Sequence, residues 1–203
     1  MARIVPLEGP GAPEPSEVKE LLACGQVVGI PTDTLYGLAV DPFSEAAVRA
    51  VFAAKGRDDG KPLPVLVGCR AHLDLLGVSA PASLVDRLFA LWPAPLTAVL
   101  PVRAAVAAGR GGATLAVRLP AYPALVRLLL ETGPFTATSA NVSGFPPARS
   151  AAEVDSSLGA FLSLVLDGGP SSDGSASTLL DLSGTRARIL RTGAFRVSLS
   201  HFD

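Results

Sequence analysis

The chain has 203 residues, with 17 lysines and arginines against 18 acidic residues, a formal net charge of −1 and two cysteines. With 49% apolar and 17% charged residues and a mean hydropathy of +0.43, it is not an intrinsically disordered chain, which needs low hydrophobicity and a large net charge. The long uncharged, apolar stretch at residues 88–102 is cut by Pro93, Pro95 and Pro101, whereas a membrane-spanning helix needs roughly 18 or more apolar residues.

Residues 6–15 are rich in Pro and Gly, and no apolar run follows a basic start, so no secretory leader is expected. Ser16 ahead of residues 17–24 predicts an N-capped first helix ending at Gly25. Residues 26–31 read as a short buried strand that runs into Thr32-Asp33-Thr34. In residues 44–55, Ala47, Val48, Val51 and Phe52 share one helical face, with Ser44 as the cap and Gly56 as the stop. A strand at 63–68, a helix at 81–91, an interrupted strand at 95–101, a strand at 114–119 and a helix at 122–131 follow. A strand over 135–139 runs into a polar loop. Residues 151–158 read as a helix, and 162–167, 177–182 and 187–190 as strands. Alternating strands and helices predict a single α/β domain. The short turn at Ser183-Gly184 makes the last strands antiparallel, so the sheet is expected to be mixed.

Cys24 and Cys69 form no Cys-x-x-Cys pair and sit among apolar neighbours, so both are expected to be buried thiols. His72 and His201 lack metal-ligating neighbours at helical spacing, so no protein-held metal site and no catalytic histidine is expected. Charge is unevenly placed. Arg49, Lys55, Arg57, Lys61 and Arg70 face only Asp58 and Asp59 within their stretch, and Arg103, Arg110 and Arg118 follow with no acid between them. Local positive charge on a neutral whole suits a compact anionic ligand better than a long RNA footprint.

Four segments at predicted strand ends depart from an ordinary core. In residues 30–42, IPTDTLYGLAVDP, hydroxyls and a carboxylate follow an apolar strand; they suit a ligand, or equally a turn capped by its own side chains. Lys55-Gly56-Arg57 either complements a helix dipole or grips phosphate oxygens. Thr138-Ser139-Ala140-Asn141-Val142-Ser143-Gly144 carries more hydroxyls than a turn needs. Asp167-Gly168-Gly169-Pro170-Ser171 lets a ligand approach the backbone. Neither GxxxxGK[ST] nor GxGxxG is present, which excludes a P-loop and a Rossmann pyrophosphate site.

In order along the chain stand PTDTLYGL (31–38), KGR (55–57), Lys61-Pro62-Leu63, LWPAPLT (91–97), AVRLP (116–120), TSANVSG (138–144), DGGPS (167–171), STLLDL (177–182) and ILRTG (189–193). Through these nine motifs the chain resembles the YrdC/Sua5 family of L-threonylcarbamoyladenylate synthases, in its short single-domain form. The resemblance implies a YrdC-like fold: a twisted mixed parallel/antiparallel sheet flanked by helices around a concave, positively charged cleft. It implies one domain over residues 1–203, with a core of about 14–194 and residues 1–13 and 195–203 as flexible or peripheral ends. It implies a reaction of L-threonine, bicarbonate and ATP giving threonylcarbamoyl-AMP and pyrophosphate. A downstream transferase complex then modifies adenosine 37 of tRNAs reading ANN codons. By the same resemblance the enzyme is cytoplasmic, touches no membrane, meets tRNA at most weakly, and uses Mg²⁺ held mainly by phosphates.

The family tetrad K-x-R…S-x-N matches Lys55, Arg57, Ser139 and Asn141. The resemblance assigns Lys55 and Arg57, with Lys61 close by, to the triphosphate, and Ser139 and Asn141 to the threonyl group and nucleotide. It gives Thr34, Arg118 and Ser177 to threonine, Tyr36 to the substrate wall, and Thr114, Arg149 and Arg191 to the nucleotide. Three positions depart from the family pattern. Asp58 stands where many relatives have proline, Leu66 where some have a histidine, and Arg149-Ser150 where a hydroxyl pair is common. Two other outcomes remain at this stage: a YrdC-like RNA-binding module without synthase activity, or a related carbamoyl-adenylate enzyme.

Overall fold

The structure, a computed structural model, describes residues 1–56, 60–171 and 175–202. Its eleven described strands fall into two sheets rather than the one expected. The five-stranded sheet has the order β1-β9-β2-β3-β8, from β1 (Arg3–Pro6), β2 (Val28–Ile30), β3 (Gly37–Ala39), β8 (Thr138–Ser139) and β9 (Leu164–Asp167). The six-stranded sheet has the order β11-β10-β5-β6-β4-β7, from β4 (Val65–Leu66), β5 (Leu96–Pro101), β6 (Thr114–Arg118), β7 (Phe135–Thr136), β10 (Thr178–Asp181) and β11 (Arg188–Arg191). Both are mixed: β1, β9 and β2 run parallel while β3 and β8 alternate, and β10 pairs parallel with β5 but antiparallel with β11.

The predicted strand at 135–139 is where the sheets meet. Phe135 and Thr136 pair with β4, whereas Thr138 and Ser139 pair with β3. Between them the Ala137 N–H donates to Pro64 O at 2.8 Å. Thr136 exchanges bonds with Val40, its N–H donating to Val40 O at 3.0 Å and its Oγ1 accepting from Val40 N at 3.0 Å. A single predicted strand gave no sign of this division, because the change of partner is set by strands distant in the chain.

The helices are α1 (Pro15–Ala23), α2 (Glu45–Lys55), α3 (Ala71–Leu75), α4 (Ala82–Leu91), α5 (Pro123–Thr132) and α6 (Ala151–Leu158). Helix α2 forms as its sequence predicts. Ala47, Val48, Val51 and Phe52 are buried, Ser44 Oγ accepts from Ala47 N at 3.2 Å, and Gly56 ends the helix at φ 56°. That left-handed conformation is open to glycine without a Cβ penalty. Helices α1 and α5 close over Ile30, Leu164 and Leu166 with Val18, Leu22, Leu125 and Leu129, while α2 packs into the larger core around Leu63, Val65 and Val117.

Several local expectations are corrected. Pro15, not Ser16, opens α1: Glu14 is the cap position, and proline suits the first turn, where an N–H has no partner. The strand at 95–101 is uninterrupted from Leu96, since Pro95 precedes the ladder and Pro101 ends it. Cys24 is exposed and Cys69 half-buried, both as free thiols; Cys24 ends α1 on its outward side and is not core. Helix α3, strand β3 and strand β1, which pairs with β9 at the sheet edge, were not anticipated. Among the described residues no helix is long and apolar enough to cross a membrane.

Candidate active site

Lys55 is the last residue of α2 and is only 2% exposed. A buried ammonium is tolerated when its donors are matched. Here Nζ donates to Ser139 O, to Asn141 O at 2.9 Å and to Asn141 Oδ1 at 3.1 Å. The loop closes on itself and on the helix: Ser139 Oγ donates to Asn141 Oδ1 at 2.6 Å, Asn141 Nδ2 donates to Phe145 O at 2.8 Å, and Ser143 N donates to Lys55 O at 2.8 Å. Three of the four tetrad positions thus form one hydrogen-bonded cluster. The fourth, Arg57, lies outside the described residues, as does Asp58.

A second cluster gathers at the end of β6. Along this strand Leu115 and Val117 enter the core, which puts Thr114, Ala116 and Arg118 on the opposite face. Arg118 Nη2 donates to Asp33 Oδ1 at 2.8 Å and Nη1 to Thr34 Oγ1 at 3.1 Å, joining the six-stranded sheet to the loop ahead of β3. Burial lowers the Arg118 pKa from its ordinary value; Asp33 raises it, and the nearby Arg191 charge lowers it. Ser177, at the head of β10, is buried and hydrogen-bonded to Thr97 at 2.8 Å. Arg191 at the end of β11 donates through Nη2 to Ser177 O at 2.9 Å. Strand order explains the convergence: the end of β6, the start of β5, the start of β10 and the end of β11 share one rim.

Glycine is required beside this rim. A Cβ on Gly193 would stand 2.3 Å from Ala176 O and 2.5 Å from Ser177 C, both backbone. Gly193→Ala is expected to cost about 1–3 kcal/mol of stability, because backbone must shift to relieve the overlap. A urea midpoint unchanged from the wild type would contradict that packing.

Tyr36 is 1% exposed, and its hydroxyl faces the Asp167-Gly168-Gly169 turn: it donates to Gly169 O at 2.8 Å, lies 3.1 Å from Asp167 Oδ1, and accepts from Gly168 N at 3.2 Å. Burial is the main reason its pKa is raised to about 12; the Gly168 N–H works against the rise and Asp167 adds to it. The unfolded chain releases this proton near pH 10, so the contribution is complete below about pH 10 and is lost as pH climbs towards 12. With two tyrosines in the chain, Tyr36→Phe is expected to remove the later of two phenol ionisations followed by tyrosinate absorbance. Tyr36 also lines a cavity of about 440 Å³ with Pro31, Asp33, Tyr122 and Ser171.

The remaining predicted residues are more scattered. Lys61 is exposed. Arg149 is exposed but tied to the glycine turn, its carbonyl accepting from Ser171 N at 2.8 Å. Thr114 shares the Arg118 face of β6, four residues away, or ~13 Å at a strand rise of about 3.3 Å per residue. Leu66 is paired in register with Arg118 and is 1% exposed. His72 is buried, and its Nδ1 accepts from Gly68 N at 3.1 Å, a structural role. Sequence reasoning did not single out Asp33, Thr97 or Asp167 as individual residues, although each stands inside a quoted motif. A carboxylate between two threonines at a strand end was the available signal for Asp33.

A model of the Sua5/YciO/YrdC family, described as telomere recombination, matches residues 20–193. A putative threonylcarbamoyl-AMP synthase of Mycobacterium tuberculosis is 38% identical over 174 residues, which cover 85% of this chain and 80% of that protein. The threonylcarbamoyl-AMP synthase of Pyrococcus abyssi is 36% identical over 174 residues, 83% of this chain and 51% of the relative. The crystal structure of P. abyssi Sua5 complexed with L-threonine superposes with a TM-score of 0.83 at 32% identity, covering 95% of this chain and 57% of that one. The chain therefore spans about half the length of the archaeal relative and most of the mycobacterial one.

Proposed function

This chain belongs to the Sua5/YciO/YrdC family, and from that premise we propose that it is an L-threonylcarbamoyladenylate synthase. The reaction joins L-threonine, bicarbonate and ATP. The threonine nitrogen bonds to the bicarbonate carbon with loss of water, leaving a carbamate. A carbamate oxygen then bonds to the α-phosphorus while the bond to the β-phosphate bridge breaks, releasing pyrophosphate. Two anions are brought together, so the protein must supply positive charge and alignment rather than a strong base.

The observation that carries this reading is the contact of Lys55 with both Ser139 and Asn141. Lys55 holds the 139–141 loop in shape and, with Arg57 and Lys61, gives a cationic cleft its charge; Ser139 and Asn141 face the threonyl group and nucleotide. Arg118 takes the threonine carboxylate, since a guanidinium fork suits it, with Thr34 and Ser177 on the threonine side and Tyr36 as a wall. Thr114, Arg149 and Arg191 serve the nucleotide. Mg²⁺ would be held mainly by the triphosphate oxygens and water, which needs few protein ligands. Residues 1–203 act as one domain in the cytoplasm, passing product to a tRNA threonylcarbamoyl transferase complex, with weak tRNA contact of their own.

Incubation with ATP, labelled bicarbonate and L-threonine is expected to release pyrophosphate only when threonine is present. Release independent of threonine, or none at all, overturns the proposal. Carbamoyl phosphate in place of bicarbonate and threonine should support no release.

A further inference from the structure

Asp33 and Arg118 form an unusually incomplete buried pair. Their side chains are 8% and 6% exposed, yet only Nη2 and Oδ1 meet. Arg118 Nε and Asp33 Oδ2 are buried without a hydrogen-bond partner among the described residues. A guanidinium and a carboxylate satisfied by each other alone would pair through two parallel bonds. Here the second Nη is turned to Thr34 instead. One cationic donor and one anionic acceptor of a single ion pair are left unused, in a place where unmatched polar atoms are costly. Asp33 also lines the cavity of about 440 Å³ beside Tyr36 and the glycine turn.

We propose that Asp33 is a substrate-binding residue that receives the α-amino group of the amino acid while Arg118 receives its carboxylate, a deduction that rests on the synthase reading above. The unused atoms complement an α-amino acid zwitterion, whose ammonium and carboxylate are attached to one carbon. An amide or a lone carboxylic acid satisfies only one of the two. The donor survives the chemistry: carbamoylation leaves one N–H on the nitrogen, so Asp33 keeps an acceptor role as the substrate gains a second negative charge. The second positive charge felt at Arg118, from Arg191, offsets that gain.

The test is calorimetric titration of the full chain, with and without a non-hydrolysable ATP analogue, using L-threonine and its desamino counterpart 3-hydroxybutanoate. The wild type is expected to bind threonine roughly 10- to 100-fold more tightly, the range for a hydrogen bond to a charged group. In Asp33→Asn this preference should vanish, threonine losing affinity relative to 3-hydroxybutanoate, whose carboxylate still meets Arg118. Equal affinity of the wild type for the two ligands overturns the proposal even if the variant fails to fold. A folded Asp33→Asn that keeps the preference overturns it as well. A wild type that binds neither ligand and releases no threonine-dependent pyrophosphate overturns the synthase reading itself, a different and recognisable failure.

Discussion

Lys55→Met is expected to slow threonine-dependent pyrophosphate release by on the order of 10²- to 10³-fold, the cost of losing one charge-stabilising donor from an enclosed site. Methionine fills much of the space of the lysine stem, so the loss reports charge and donors more than volume. All three Nζ hydrogens have acceptors in the 139–141 loop; without them Ser139 O keeps the Asn141 N–H and Asn141 Oδ1 keeps the Ser139 hydroxyl, so the loss falls mainly on Asn141 O. Part of the effect is therefore loss of loop order. A companion substitution, Lys55→Gln, keeps amide donors for the loop without the charge and separates the two contributions. If Lys55 serves only to order the loop, Lys55→Gln should retain most of the rate. A low rate in both variants, with ATP saturation shifted upward, is the outcome expected from its charge. Activity within a factor of a few of the wild type would remove Lys55 from the site.

Arg118→Met carries the largest expected effect on stability. Removing one partner of a buried ion pair leaves the other charge unmatched, at a cost of about 3–5 kcal/mol. Asp33 would be that residual charge, with its side chain only 8% exposed. The double variant Asp33→Asn with Arg118→Met carries no such charge and should recover much of the loss, because a neutral, well-packed pair can equal a buried ion pair. Urea unfolding of the two single variants and the double variant measures the coupling directly. An Arg118→Met midpoint equal to that of the wild type would mean that the pair is not desolvated as described. Both Arg118 variants should bind threonine weakly, so a recovery of stability without binding separates the structural role of the pair from its role in recognition.

Much of the secondary structure was legible because its causes are local. Ser44 and Gly56 bound α2 through side-chain and backbone rules that operate within a few residues, and residues 151–158 form α6 as their periodicity requires. The motif residues Lys55, Ser139 and Asn141 were likewise identifiable, as was the antiparallel turn between β10 and β11. Errors arose where a local rule had a competitor. Pro15 displaced Ser16 as the start of α1, and apolar neighbours around Cys24 did not bury it, because it ends a helix whose core face belongs to Val18 and Leu22.

The α/β character was determined by the amino-acid sequence alone, since it depends on composition and periodicity, and the family was legible in the resemblance of nine motifs and their order. Tertiary structure decided the division into two sheets, the placement of Arg118 against Asp33 and Thr34, and the closure of the 139–141 loop around Lys55. Those contacts join residues 84 to 86 positions apart. No local propensity specifies a pairing at that range; it follows only once the strands choose their neighbours and the sheets pack into the two cores.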